Sequence, residues 1–195
     1  QATDERQVEI GSGGDVRLTS DHDLGIHGAV AAPGMIVLGA ARDVSFAGSS
    51  AVTSAQRDAW VFADNLRMAD GAQLRAANGA VVVHARGDAS VTGISAGFNG
   101  ANAVVITAGG ALRSGGDTRV DIVADGGSEA GVVLDVRGSI GEDRALEIAA
   151  PHVQATAGGS MQMHFTGPVS VDHVQAGGKI DITADGAITW PAQAE

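Results

Sequence analysis

Short segments of alternating apolar and polar residues return along this chain about every 20 residues, and that recurrence narrows its possible folds more than any other feature. The segments begin at Val16-Arg17-Leu18-Thr19, Met35-Ile36-Val37-Leu38, Trp60-Val61-Phe62-Ala63, Val81-Val82-Val83-His84, Val104-Val105-Ile106-Thr107, Val120-Asp121-Ile122-Val123, Leu146-Glu147-Ile148-Ala149, Met161-Gln162-Met163-His164 and Ile180-Asp181-Ile182-Thr183. Many are followed by a second piece, as in Leu24-Gly25-Ile26 and Val44-Ser45-Phe46, and some by a third, as in Ile94-Ser95-Ala96. Strict alternation turns one face of each strand inward, and three such strands per period describe one coil of a solenoid. No window shows an apolar stripe at helical spacing. The expected fold is all-β, a right-handed parallel β-helix of about nine coils of roughly 20 residues. No coil buries its inward side chains alone, so stacking supplies the core.

The boundaries read as a lead-in over residues 1–12, one continuous shaft over 13–190 and a tail over 191–195. Alternation places either Val105 or the Val104/Ile106 pair inside, and comparison with Ile180-Asp181-Ile182 selects the pair. Corners between strands account for the 29 Gly residues. Ala-Asp-Gly at 69–71, 124–126 and 184–186, and Gly-Gly at 109–110, 158–159 and 177–178, are expected to supply positive φ. Residues 125–131 read as an extruded loop. A narrow interior filled by aliphatic ladders explains why aromatic residues are only 3% of the chain. Phe46, Phe62, Phe98, Phe165 and Trp60 are expected as interior or coil-edge fillers, and Trp190 as a cover over the last coil.

Composition also excludes function classes. With no Cys there are no disulfides, thiolate metal sites or cysteine nucleophiles. A net charge of −11 opposes binding to nucleic acid or to anionic lipid. No run of about 18 apolar residues exists, so no membrane insertion is expected. The opening Gln-Ala-Thr-Asp-Glu-Arg-Gln-Val-Glu-Ile has neither the basic nor the apolar region of a signal peptide and reads as internal sequence.

The units Val-Val-Ile-Thr-Ala-Gly-Gly-Ala-Leu-Arg-Ser-Gly-Gly at 104–116 and Val-Gln-Ala-Gly-Gly-Lys-Ile-Asp-Ile-Thr-Ala-Asp-Gly at 174–186 resemble the repeats of filamentous haemagglutinin, a family of very large exoproteins exported by two-partner secretion. The likeness runs over about 13–190. It implies a β-helical shaft, a place at the bacterial surface or in the medium, and a role in host-cell adhesion or in contact-dependent competition. The partners implied are a host cell-surface receptor, neighbouring coils of a longer exoprotein, and an outer-membrane transporter during secretion.

Chemistry-bearing groups are sparse. Asp21-His22-Asp23 with His27 is the densest set of metal-capable side chains, but a single turn supplies about two ligands where zinc needs three or four. Asp121, Glu147, Gln162 and Asp181 are expected to form one outward row without a basic partner, a solvated face that discourages aggregation. His84, His152, His164 and His173 are separately placed, and no Gly-x-Ser-x-Gly elbow or Gly-Lys-Ser phosphate loop occurs. No enzyme activity, metal or cofactor is expected; the alternative is a carbohydrate-active β-helix enzyme. One triplet carries a sharper functional reading. Arg86-Gly87-Asp88 is a candidate integrin-binding turn, in which the acid would coordinate a receptor-bound cation and the guanidinium would pair with receptor carboxylates. The competing explanation is a glycine corner flanked by solubilising charges.

Overall fold

The computed structural model describes residues 10–11, 13–49, 51–116 and 120–190, and the strands among them form three parallel sheets with no helix. The first sheet stacks Ile10–Gly11, Val30–Ala32, Val52–Ala55, Gln73–Ala76, Ile94–Ala96, Ile122–Ala124, Leu146–Ala149, Met161–Phe165 and Ile180–Ala184. The second stacks Val16–Ser20, Ile36–Ala40, Ala59–Ala63, Val81–Ala85, Val104–Ala108, Gly131–Val136, His152–Ala157, Val169–Ala176 and Ile188–Thr189. A third, of five strands, stacks Leu24–Ile26, Asp43–Phe46, Asn65–Met68, Ala89–Val91 and Leu112–Ser114, and beyond it single bridges carry Ile140 between Leu112 and Met161. The chain visits the sheets in turn. The result is a right-handed parallel β-helix of about eight turns.

Inward ladders hold the stack together. In the second sheet Ile36, Ala59, Val81, Val104, Val132, Val153 and Val171 lie in register and are all buried. Leu38, Val61, Val83, Ile106 and Leu134 make the adjoining ladder. Each such side chain removed from water contributes roughly 1.5–3 kcal/mol before entropy is charged against it. Between them Val37, Trp60, Val82, Val105 and Val133 point outward, so Val104 and Ile106 are inside and Val105 is not.

Four expectations are corrected. The row of segment starts changes face part-way: those at 16, 36, 60, 81 and 104 lie in the second sheet, whereas those near 122, 146, 161 and 180 lie in the first. The close spacing of the segments at 104–107 and 120–123 is therefore a step between faces, and the real coil there is long, with Val104 opposite Val132. Second, the acidic row dissolves. Glu147 is in register with His164, Asp181 with Gln162, and Asp121 is buried before its strand begins. Third, Phe46 and Phe165 fill the interior, but Trp60 and Phe62 are each 38% exposed, Phe98 is 44% exposed and Trp190 is 61% exposed. For Trp60 and Phe62, alternation around the buried Ala59, Val61 and Ala63 requires this, because a slip of one residue would turn the whole strand over. The Trp60 and Phe62 rings instead pack on each other outside, centroids 5.8 Å apart.

The fourth correction concerns glycine. Among the described glycines positive φ occurs at Gly48, Gly71, Gly93, Gly127 and Gly141, so of the named corners only Ala69-Asp70-Gly71 uses it. Gly109, Gly158 and Gly177 are needed for closeness. A Cβ there would overlap the carbonyl oxygen of Arg86, Arg137 or Gly158, the residue stacked beneath. Of the loop expected at 125–131, residues 125–129 lie at the surface, whereas Ala130 is buried and Gly131 already opens a second-sheet strand; the segment stacks on the corner at 97–103 through Asn99 Oδ1, which accepts the Glu129 N–H at 3.0 Å.

Candidate functional site

Arg86-Gly87-Asp88 is the turn that carries the chain from Val81–Ala85 in the second sheet to Ala89–Val91 in the third. Backbone amides at such a corner leave the sheet ladder and need other acceptors. The coils meet that need with a column of polar side chains, each accepting from the coil that follows. Asp43 N–H donates to Asp23 Oδ1 at 3.2 Å, and Asn65 Nδ2 donates to Asp43 Oδ1 at 2.8 Å. Asp88 N–H then donates to Asn65 Oδ1 at 3.0 Å, and Ala111 N–H to Asp88 Oδ1 at 2.8 Å. Serines take over further on, where Ser160 N–H donates to Ser139 Oγ and Lys179 N–H to Ser160 Oγ. Asp88 is thus one rung of a structural column.

The remaining groups of the triplet are also engaged. Arg86 is exposed but lies 3.2 Å from Asp64 Oδ1 in the coil before. Asp88 Oδ2 accepts from Arg113 Nη1 at 2.9 Å in the coil after. Arg113 is itself held by Glu142 Oε2 at 2.7 Å, with Asp143 at 3.8 Å. The Ala111 amide and then the Arg113 guanidinium hold the Asp88 carboxyl below the ordinary range, while Asp88 and Glu142 raise the Arg113 pKa. Shallow grooves flank the turn. One, of about 430 Å³, is lined by His84, Arg86, Thr107, Gly109, Asp135 and Arg137. The other, of about 210 Å³, includes Asn65, Arg67, Ser90 and Arg113 around Asp88. The larger groove contains one carboxylate, Asp135, where glycoside hydrolysis requires a pair.

Elsewhere, His152 Nδ1 lies 3.2 Å from Asp172 Oδ2, and Ser170 Oγ donates to Asp172 Oδ1 at 3.0 Å. The acid sits between the other two, at a register irregularity of the second sheet, so the hydroxyl faces no imidazole base and the order needed for nucleophile activation is absent. His164 Nδ1 bonds Thr183 Oγ1, and its Nε2 lies 3.6 Å from Asp185. Among the described residues no three His, Asp or Glu side chains converge on a point that could hold a metal ion; Asp21, His22, Asp23 and His27 do not.

One residue that sequence reasoning placed outward is buried. Asp121 is wholly shielded where the third sheet ends; it accepts from Ser114 Oγ at 2.8 Å and from Glu147 N–H at 3.0 Å, with Arg144 at 4.0 Å and bonded to Ser114. Burial outweighs these partners and raises its pKa from 3.8 to about 6. A folded-state value above the unfolded one means that the charge costs stability above pH 6, about 3 kcal/mol, and that the cost is relieved as pH falls from 6 towards 4. Asp121→Asn keeps an acceptor for Glu147 N–H and turns its amide to Ser114. It is expected to raise the urea midpoint at pH 7.5, by an amount that vanishes near pH 4. A loss of stability at pH 7.5 would contradict this account.

No protein-family profile, curated protein or solved structure matches the chain.

Proposed function

We propose that this chain is a shaft segment of a secreted bacterial surface adhesin of the filamentous haemagglutinin type, with Arg86-Gly87-Asp88 as its receptor-facing turn. The observation that carries the reading is the combination of two nine-stranded parallel sheets running unbroken past one corner with that exposed turn on it. A rod of this kind holds surface groups at fixed heights along an axis, about 4.8 Å per coil. The carbohydrate-active alternative is supported by the outward Trp60 and Phe62 pair, yet the acids at the two ends of that strand, Asp58 and Asp64, are engaged by the Ala80 amide and by Arg86. It predicts release of reducing ends from a polysaccharide, which the shaft reading does not.

The column position of Asp88 permits a clean test. Asn65 performs the same clip one coil earlier, so Asp88→Asn retains the Ala111 bond while removing the carboxylate that a receptor cation needs. Asp88→Ala removes both. Integrin-bearing cells are expected to leave surfaces coated with either variant, whereas only the Ala variant is expected to lose stability, by about 1 kcal/mol. Equal attachment to wild type and Asp88→Asn would reduce the triplet to a corner, and a passive shaft, as in contact-dependent inhibition, would be the better reading.

A further inference from the structure

We infer that the receptor turn is built in a closed state, with Arg113 acting as an intramolecular competitor for the Asp88 carboxylate that must be displaced before a receptor cation can bind; this rests on the reading of Arg86-Gly87-Asp88 just given. Both oxygens of Asp88 are already used, Oδ1 by the Ala111 amide and Oδ2 by Arg113. The two bonds differ in kind. The amide is part of the backbone and leaves a second lone pair of Oδ1 free. The guanidinium covers the other oxygen with a full positive charge, which occupies the place a cation would take and repels it.

Arg113 is poised for this by its surroundings. It stands on the outer face of the third sheet, in register with Ser90, two strands from Arg67, and its other nitrogens are gripped by Glu142 and Asp143. Those carboxylates come from the segment that follows the end of the third sheet, so the clasp exists where regular stacking gives way. Arg86 is closed in the same manner by Asp64, so the triplet is held at one end by the preceding coil and at the other by the following one. The charged groups around Asp88 are Arg113 and Arg67, with the neutral Asn65 below.

An exposed ion pair of this sort is easily opened, and its removal changes an equilibrium by a few fold. Arg113→Gln is therefore expected to raise integrin-dependent cell attachment to the immobilised chain roughly two- to fivefold. An Asp88→Asn, Arg113→Gln double variant should not attach cells. In parallel, carbon NMR titration of the Asp88 carboxyl is expected to show its midpoint rising towards the ordinary Asp value in Arg113→Gln. An unmoved midpoint would overturn the clasp whatever the cells do. A midpoint that moves while attachment to both proteins stays equal and Asp88-dependent would overturn its competitive role. If the midpoint moves and neither protein holds cells, the clasp stands as a contact and the receptor reading falls.

Discussion

Ile106→Asp should unfold the centre of the rod, while Val105→Asp, one residue away, should change stability by no more than about 1 kcal/mol. Ile106 is fully buried between Val83 below and Leu134 above. An aspartate there would lose the packing of a whole aliphatic side chain and bury a carboxylate with no donor, a cost of several kcal/mol. Because every coil is stabilised by its neighbours, the damage extends to the strands at 81–85 and 131–136. Val105 lies outside between Val82 and Val133, where a charge stays hydrated. Thermal melting of the two variants should differ by about 10 °C or more; coincident curves would show that the register is wrong.

Gly109→Ala should be nearly as damaging, and for a reason that has nothing to do with conformational preference. Gly109 has no positive φ, and its N–H completes the stack by donating to Ala85 at 3.0 Å. The added methyl would collide with the Arg86 carbonyl oxygen, which is backbone and cannot rotate away. The coils would have to part at that corner, and a loss of about 3 kcal/mol or more in urea unfolding is expected. Gly167→Ala is the control. Nothing lies within 4 Å of a Cβ there and its φ is not positive, so the variant should match wild type or gain up to about 1 kcal/mol from a less flexible unfolded chain. Similar losses at the two positions would remove the stacking explanation.

These contrasts mark what could be read in advance. Alternation in Val104-Val105-Ile106 left two options, and the polar middle residue of Ile180-Asp181-Ile182 was what selected Val104 and Ile106 as the inward pair, because a period of two residues separates the faces without saying which is inside. It could not say which of three faces a strand belongs to, and the long coil between Val104 and Val132 moved the count from one sheet to another. Trp60 and Phe62 were misplaced because a general preference for buried aromatics was set above the local pattern Ala59, Val61, Ala63, which already named the inward positions. The surroundings of Asp88 were invisible for a different reason. Its partners Ala111 and Arg113 come from the next coil, 23 and 25 residues on, and a loose period hides such alignments. A signal did exist: Asp23, Asp43, Asn65 and Asp88 recur at steps near the coil length, each at the start of a third-sheet strand or just before one.

The bonds of that column all point the same way, and so do those of the opposite corner, where Asp15 accepts from Met35 and Asp58 from Ala80. In each case the acceptor belongs to the earlier coil and the donor, a backbone amide except at Asn65 Nδ2, to the later one. The rod therefore has a chemical direction. A chain that winds up from its N-terminal side finds an acceptor waiting for each of these corner amides, and its advancing face displays carboxylates that water hydrates well. Winding from the other side would advance a face of fixed amide hydrogens whose acceptors have yet to arrive. Carboxylates on the advancing face also repel those of a second chain at the same stage, so a half-wound molecule is protected from pairing with its neighbour through the open sheet edges.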